Sequence, residues 1–464
     1  MLSKERTYDL IDTALQNTQG YPAQVLINSA ANGFNRFAHS EIHQNVFEDR
    51  TTLYVTVYEA RKASTTSTCV LSDAGIAAAV KRAIANLSLI PDGEEQPELV
   101  SDPVVLETSL FNQGLHDAYD VRVRSQMLAE VFATLPVEYK SYGQLSYGEH
   151  SWGMGNTAGM RRYVNGNFLR SSVVISDALG GGAGYADMSA NTPDEVDLTG
   201  TFAIALNKAQ MNRNLLEIEP GAYTVLLEPQ AVSGILGTIY RNFSGTARQN
   251  RSSPFSASPG ERVVSEKLTI VDDWSSPFVP GISFDGQGTP RTKLTLLENG
   301  VPKGLVYDII SAKKAGVVST GHAGFRSPSH SSLLMGYRSA GGASPSNIIV
   351  SGGEKSFKQI IAETERGVLV TRFWYQNAIN PRETLLTGLT RDGLFLVENG
   401  QITRALHNMR FTQRIIEAFN NVEEISQDRK RITRMVNGGI GSASYLPGMK
   451  INNFHFTGNT SFSA

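Results

Sequence analysis

The sequence has a single cysteine, Cys69, among its 464 residues. One thiol excludes an internal disulfide and any site built on paired thiolates. Histidine is nearly as sparse: neither His nor Cys occurs between Ser151 and Gly321. No run of about 18 apolar residues exists, so no ordinary membrane-spanning helix is encoded. The charged opening MLSKERTYDLIDTALQ lacks the apolar core of a secretion signal, and a cytoplasmic protein without membrane contact is expected. Neither sign of charge dominates, with 42 Lys plus Arg against 44 Asp plus Glu, so no general positive field draws in nucleic acid.

What the chain does have is glycine, 43 residues of it, with 41% hydrophobic content, the profile of a folded protein with many tight turns. Its length calls for two or three domains. Tyr8, Ile11 and Leu15 recur at helical spacing, residues 23 to 29 read as a strand, and 51 to 57 alternate as a second. Ser72 caps a helix carried by Ile76, Val80, Ile84 and Leu87. The acidic, proline-bearing stretch from Pro91 to Pro103 then marks a boundary, giving an N-terminal α+β domain at 1–103.

A mixed α/β region at 104–221 follows. It opens with a helix expected from Asp117 to Leu135, passes through strands and loops to about Tyr185, and includes a second helix reaching Met211. Thr192, Pro193 and Glu195 supply that helix with the pattern of a cap, a first-turn proline and a capping-box acid. Glu219-Pro220-Gly221 marks the second boundary. From 222 to 464 the chain reads as a β-rich domain. Asn299-Gly300 and Asn399-Gly400 fit two-residue hairpin turns, and a helix from Ser356 to Glu365 is stopped by Gly367. The fold class expected is α+β.

Chemistry-bearing residues are few. His39, Glu41 and His43 alternate as strand residues would, projecting two imidazoles and a carboxylate on one face, but a polar strand face has the same pattern. Cys69 has no histidine nearby to activate it. The run Gly180 to Gly184 lacks the spacing and the Lys-Ser/Thr of a phosphate loop. His322 and His330 lie in a glycine- and serine-rich loop, either simply exposed or facing a groove. Arg372, Trp374, Asn377 and Asn380 form a polar and aromatic cluster that either packs as a strand or lines a peptide groove or a subunit interface.

The runs GERVVSEKLTIVDD, FDGQGTPRTKLTLLENGVPKGLVYD, ERGVLVTRFWYQNAINPRETLLTGLTRDGLFLVENGQIT and NRFAHSEIHQN resemble the TldD/PmbA family, once described as modulators of DNA gyrase. The resemblance spans nearly the whole chain and is loosest between about 140 and 190. In that family the TldD branch is a zinc peptidase with His-Glu-x-x-x-His on a helix and a C-terminal cysteine ligand, and the TldE-like branch lacks the metal. The matching helix here is EPQAVSGILGTIYRN, with Ile235, Leu236 and Tyr240 at the positions of His, Glu and His; the C-terminal run NGGIGSASYLPG has no cysteine. The resemblance therefore implies a TldE-like chain with no catalytic residue, no metal ligand and no cofactor of its own. Zinc is expected in a TldD-like partner subunit, and the complex would degrade or mature unfolded or modified peptides. Two other readings stand beside it: a peptidase acting alone through His39, Glu41 and His43 or another site, and a homodimeric peptide-binding protein.

Overall fold

A computed structural model describes residues 1–93, 95–177, 182–256, 260–325, 342–433 and 440–460. It is α+β, built on two large sheets. The first contains β1 (Ala23–Ala38), β2 (Glu41–Glu59), β3 (Lys62–Thr68), β4 (Leu106–Leu110), β5 (Tyr139–Asn156), β6 (Arg161–Asp177) and β7 (Ala183–Ala190). Their order is β3-β2-β1-β5-β6-β4, with β7 on β6. Because β1 pairs with β5 from Gln24↔Asn156 to Phe37↔Gly143, the boundary expected near 103 lies inside one sheet.

Helices cover one face of this sheet. Leu10, Ile11 and Ala14 of α1 (Lys4–Gln16) and Ile76, Val80 and Ala83 of α2 (Asp73–Leu87) bury against Val25, Ile27 and Val55. Ser72 caps α2 by accepting from the Gly75 N–H. The helix expected from Asp117 to Leu135 is in fact two, α3 (Gln113–Ala118) and α4 (Val121–Ala133). Asp120 is the reason: its carboxylate accepts from the Val123 N–H at 2.8 Å, which requires an extended backbone and breaks the helix there. The next helix, α5 (Leu198–Met211), also starts later than Thr192 predicts. Thr192 makes no side-chain cap bond; Asp197 caps α5 through Gly200 N at 2.7 Å, and Glu195 instead receives Arg431 at 2.8 Å.

The second sheet contains β8 (Gly221–Leu227), β9 (Ile270–Asp272), β10 (Leu294–Glu298), β11 (Val301–Pro302), β12 (Asn347–Val350), β13 (Arg366–Asn380), β14 (Leu385–Glu398), β15 (Gln401–Ala405), β16 (Met409–Arg414), β17 (Val422–Ile432) and β18 (Ala443–Asn459). Strands β8, β13, β14, β16 and β18 close into a ring, since β18 pairs with both β16 and β8. Closure removes exposed edges and encloses a core that includes Phe373, Phe411 and Phe454. Asn299-Gly300 and Asn399-Gly400 form the tight turns anticipated, all four residues having φ between 49° and 77°. The helix after Ser356 is shorter than expected, Phe357–Ala362, and ends at Glu363; Gly367 lies in β13 opposite Val397 and stops nothing.

Polar struts join the two halves. The fully buried Arg162 donates Nε to the Gly288 carbonyl at 2.9 Å and pairs with Asp102 at 3.1 Å, while Gln24 donates to the Gly286 carbonyl at 3.2 Å. Lys430 reaches Asp187 and Arg431 reaches Glu195 across the same seam. Among the described residues no helix is long and apolar enough to cross a membrane.

Candidate functional site

Helix α6 (Pro229–Ile239) is where the family resemblance places the chemistry, so its surroundings decide what this chain can do. Pro229 at the first helical position sets φ without sacrificing a hydrogen bond. Glu228 does not cap the helix; its carboxylate takes Lys208 Nζ at 2.6 Å. Val232, Ile235, Leu236 and Ile239 form one stripe, all buried in the core shared with β13 and β18. At Tyr240 the helix tightens into a single 3-10 turn. The Tyr240 hydroxyl lies 2.8 Å from Ser444 Oγ on β18, so the structure does bring this helix and the C-terminal run together.

What meets there does not fit zinc. A zinc site needs imidazole, thiolate or carboxylate donors at about 2.0–2.3 Å. Ile235 and Leu236 offer no lone pair, and the hydroxyls of Tyr240 and Ser444 pair with each other in the core. Among the described residues no group of three His, Cys, Asp or Glu side chains is arranged to hold a metal ion. Residues 437–439 of the C-terminal run, like Gly180 and Gly181, lie outside the described residues.

The other candidates separate. His39 is not a strand residue: with Ser40 it forms the β1–β2 turn, at φ 54° and 61°, so the alternation with Glu41 and His43 is broken. His39 Nδ1 meets the Tyr142 hydroxyl at 3.1 Å, while Glu41 and His43 face solvent. Cys69 is exposed beside Thr52.

His322, expected in an open loop, is buried. Its Nδ1 lies 3.0 Å from Thr320 Oγ1 and its Nε2 3.6 Å from Asp272 Oδ2. Asp272 also accepts from the Ser346 N–H at 2.7 Å, and Arg291 donates to Ser346 and Asn347 beside it. Asp285 completes the cluster by accepting the N–H groups of Gln287, Thr289 and Ala323. Burial pushes the Asp285 carboxyl up and pulls the Arg291 guanidinium below its ordinary value. His330 lies outside the described residues.

The Arg372 cluster divides between seam and solvent. Arg372 forms an ion pair with Asp392 and stacks 4.0 Å over the Tyr185 ring, tying β13 to β7. Phe373 points into the core. Trp374, 47% exposed, lies under Arg391 at 4.6 Å, and a bulge at Tyr375, φ 50°, turns that ring outward to 74% exposure. Asn377 is exposed, and Asn380 accepts from the Arg382 N–H in a local turn. Arg372 also lies 5.4 Å from the Trp374 ring, so these two meet at the seam's rim.

Sequence reasoning missed the Asp272–Arg291 cluster and the buried His150. His150 Nε2 contacts Asn32 at 2.9 Å, and burial, with Arg170 adding to it, holds the imidazole down at about 4. The signal available for the first was FDGQGTPR, a carboxylate followed by turn residues and an arginine.

Comparison with known proteins agrees with this fold. The chain matches the crystal structure of TldE from Thermococcus kodakarensis with a TM-score of 0.83 at 18% identity, covering 97% of this chain and 99% of that one. Residues 220–458, more than half of the chain, match the family model described as the PmbA/TldA metallopeptidase C-terminal domain. The chain belongs to the PmbA/TldD family. An uncharacterised protein of Methanocaldococcus jannaschii is 26% identical over 61% of this chain and 65% of its own length. A metalloprotease TldD homolog of Buchnera aphidicola is 26% identical over 49% of this chain and 45% of its own. The match thus spans less than two thirds of either relative.

Proposed function

We propose that this chain is a non-catalytic, TldE-like subunit that works in the cytoplasm. It pairs with a zinc-bearing TldD-like peptidase in a complex that degrades or matures unfolded or modified peptides. One observation carries the reading: on α6 and the 3-10 turn that continues it, the three positions that would hold two ligands and a base carry Ile235, Leu236 and Tyr240, all sealed in the core. A metal site forces polar atoms into such a setting, and their burial is tolerated only when metal and water satisfy them. Here packing replaces that need. Cofactor chemistry accordingly falls to the partner, and the exposed Trp374 and Asn377, with the half-buried Asn380, offer this chain's contact surface to peptide or partner.

The test is metal analysis and peptide cleavage, with the chain alone, the partner alone, and both together. Zinc is expected to follow the partner, and cleavage to need it. One equivalent of tightly held zinc in this chain, or cleavage by it alone, would instead make it a peptidase in its own right. Peptide binding with no cleavage gained on adding the partner would favour a stand-alone binding protein.

A further inference from the structure

On the outer surface of the closed ring, β13, β14 and β16 bring one indole and three guanidinium groups onto a single face. Residues directly opposed in an antiparallel ladder project to the same side. Arg372 opposes Arg391, Trp374 opposes Leu389, and Leu389 in turn opposes Arg410 on β16. Phe373 and Phe411, one step along, point the other way into the core. Arg391 lies 4.6 Å and Arg372 5.4 Å from the centre of the Trp374 ring, so both guanidinium groups rest against one exposed indole. Beside it the bulge turns the Tyr375 ring outward, at a φ of 50° that is uncommon for a bulky side chain.

Charge on this face is not balanced. The buried Asp392 is shared between Arg372 and Arg391, while the exposed Arg410 has no ion pair among the described residues. Carboxylates toward the seam are matched elsewhere: Asp187 meets Lys430, and Glu228 meets Lys208. One carboxylate against three guanidinium groups leaves positive charge uncompensated around an apolar surface.

Building on the peptide-handling role proposed above, we propose that this face selects acidic peptides, in which carboxylates alternate with apolar side chains. Arginine suits such a ligand because its planar fork takes a carboxylate through two parallel N–H···O bonds, and stacking on Trp374 holds the fork in place before the ligand arrives. Trp374, Leu389 and Tyr375 lie between and beside the cations, where the apolar side chains of the peptide would settle. Nucleic acid is the poorer match. Its affinity grows with the number of phosphates neutralised, and little free charge is offered here by a chain whose net charge is -2.

The probe is a fluorescein-labelled peptide of alternating glutamate and leucine, its binding to this chain alone followed by anisotropy. It should bind at least about tenfold more tightly than the same peptide with glutamine in place of glutamate, and more weakly as salt is raised. Arg391→Glu combined with Arg410→Glu should weaken binding by about tenfold or more, with an unchanged unfolding midpoint. Arg404→Glu, at an exposed arginine on β15, should leave it unchanged. Because no zinc subunit is present, the outcome is independent of whether cleavage needs one. Equal affinity for the glutamine peptide, an equal loss with Arg404→Glu, or tighter binding of a single-stranded oligonucleotide would overturn the proposal. So would peptide binding that survives the double variant while association with a TldD-like partner is lost, which would give the face to the partner.

Discussion

Helix α6 and the cluster around Arg291 lie in the same C-terminal domain, both shut off from water, and they are stabilised by opposite means. Around α6 the core side chains are aliphatic and aromatic, and the Tyr240 hydroxyl meets the Ser444 hydroxyl among them. Around Arg291 two carboxylates, a guanidinium and an imidazole are buried together: the carboxylates accept backbone N–H groups, Arg291 donates to Ser346 and Asn347, and His322 lies 3.6 Å from Asp272. The difference is one of tolerance. An apolar face loses stability in proportion to the volume removed, whereas a charged cluster fails when any one partner leaves another charge unmatched.

The comparison can be broken at its most sensitive point by Asp272→Ala. That change takes a carboxylate that attracts the buried Arg291 out of the cluster and strips the acceptor from Ser346 N and Asn347 N. A loss of about 3–5 kcal/mol is expected, read from chemical denaturation; a loss below about 1 kcal/mol would show that the cluster is not held by charge. Next comes Leu236→Ala, expected to cost roughly 2–5 kcal/mol as a buried leucine truncation. A silent result would mean that α6 is poorly packed and that the contrast with the Arg291 cluster is false.

His150 extends the comparison to a buried titratable group without a counter-ion. Its folded-state value of about 4 is below the ordinary 6.5, so the stability it contributes is present above 6.5 and lost as pH falls toward 4. The parent should therefore lose more stability across that window than His150→Gln, measured by unfolding midpoints at each pH. Parallel curves would remove His150 from the account. The smallest effect expected is from Tyr240→Phe, about 1–2 kcal/mol, because the hydrogen bond to the buried Ser444 is given up.

Local signals in the sequence were reliable where the cause is local. Pro229 and the four apolar residues after it define α6, Ser72 its counterpart in α2, and the two Asn-Gly pairs define their hairpins. Ser72 and Asp197 both cap a helix through the N–H three residues on, yet the competing pattern at Thr192 drew the start of α5 too early. What could not be read was long-range. His322 is buried because Asp272, fifty residues earlier in the chain, and the Ser344–Asn347 return fold over it. Nothing in a glycine-rich loop announces that. Likewise β1 and β5 lie more than a hundred residues apart, and neither strand alone declares that they share a sheet. For the candidate site, the absence of ligands on α6 was legible from residue identity alone; the contact between Tyr240 and Ser444 needed the fold.

Strand β18 has a further consequence for how the molecule is made. It pairs with β12, β16, β17 and β8, and Val225 near the start of the domain finds its partner in Ile451 near the end. As the chain emerges during synthesis, the first sheet has all seven strands by Ala190, but the ring stays open until its final member arrives. Until then the apolar faces destined for β18 have no cover, including those of α6 and Phe373. The C-terminal half must consequently mature after the N-terminal half, with an interval of exposure in which it is open to misassembly or to chaperones.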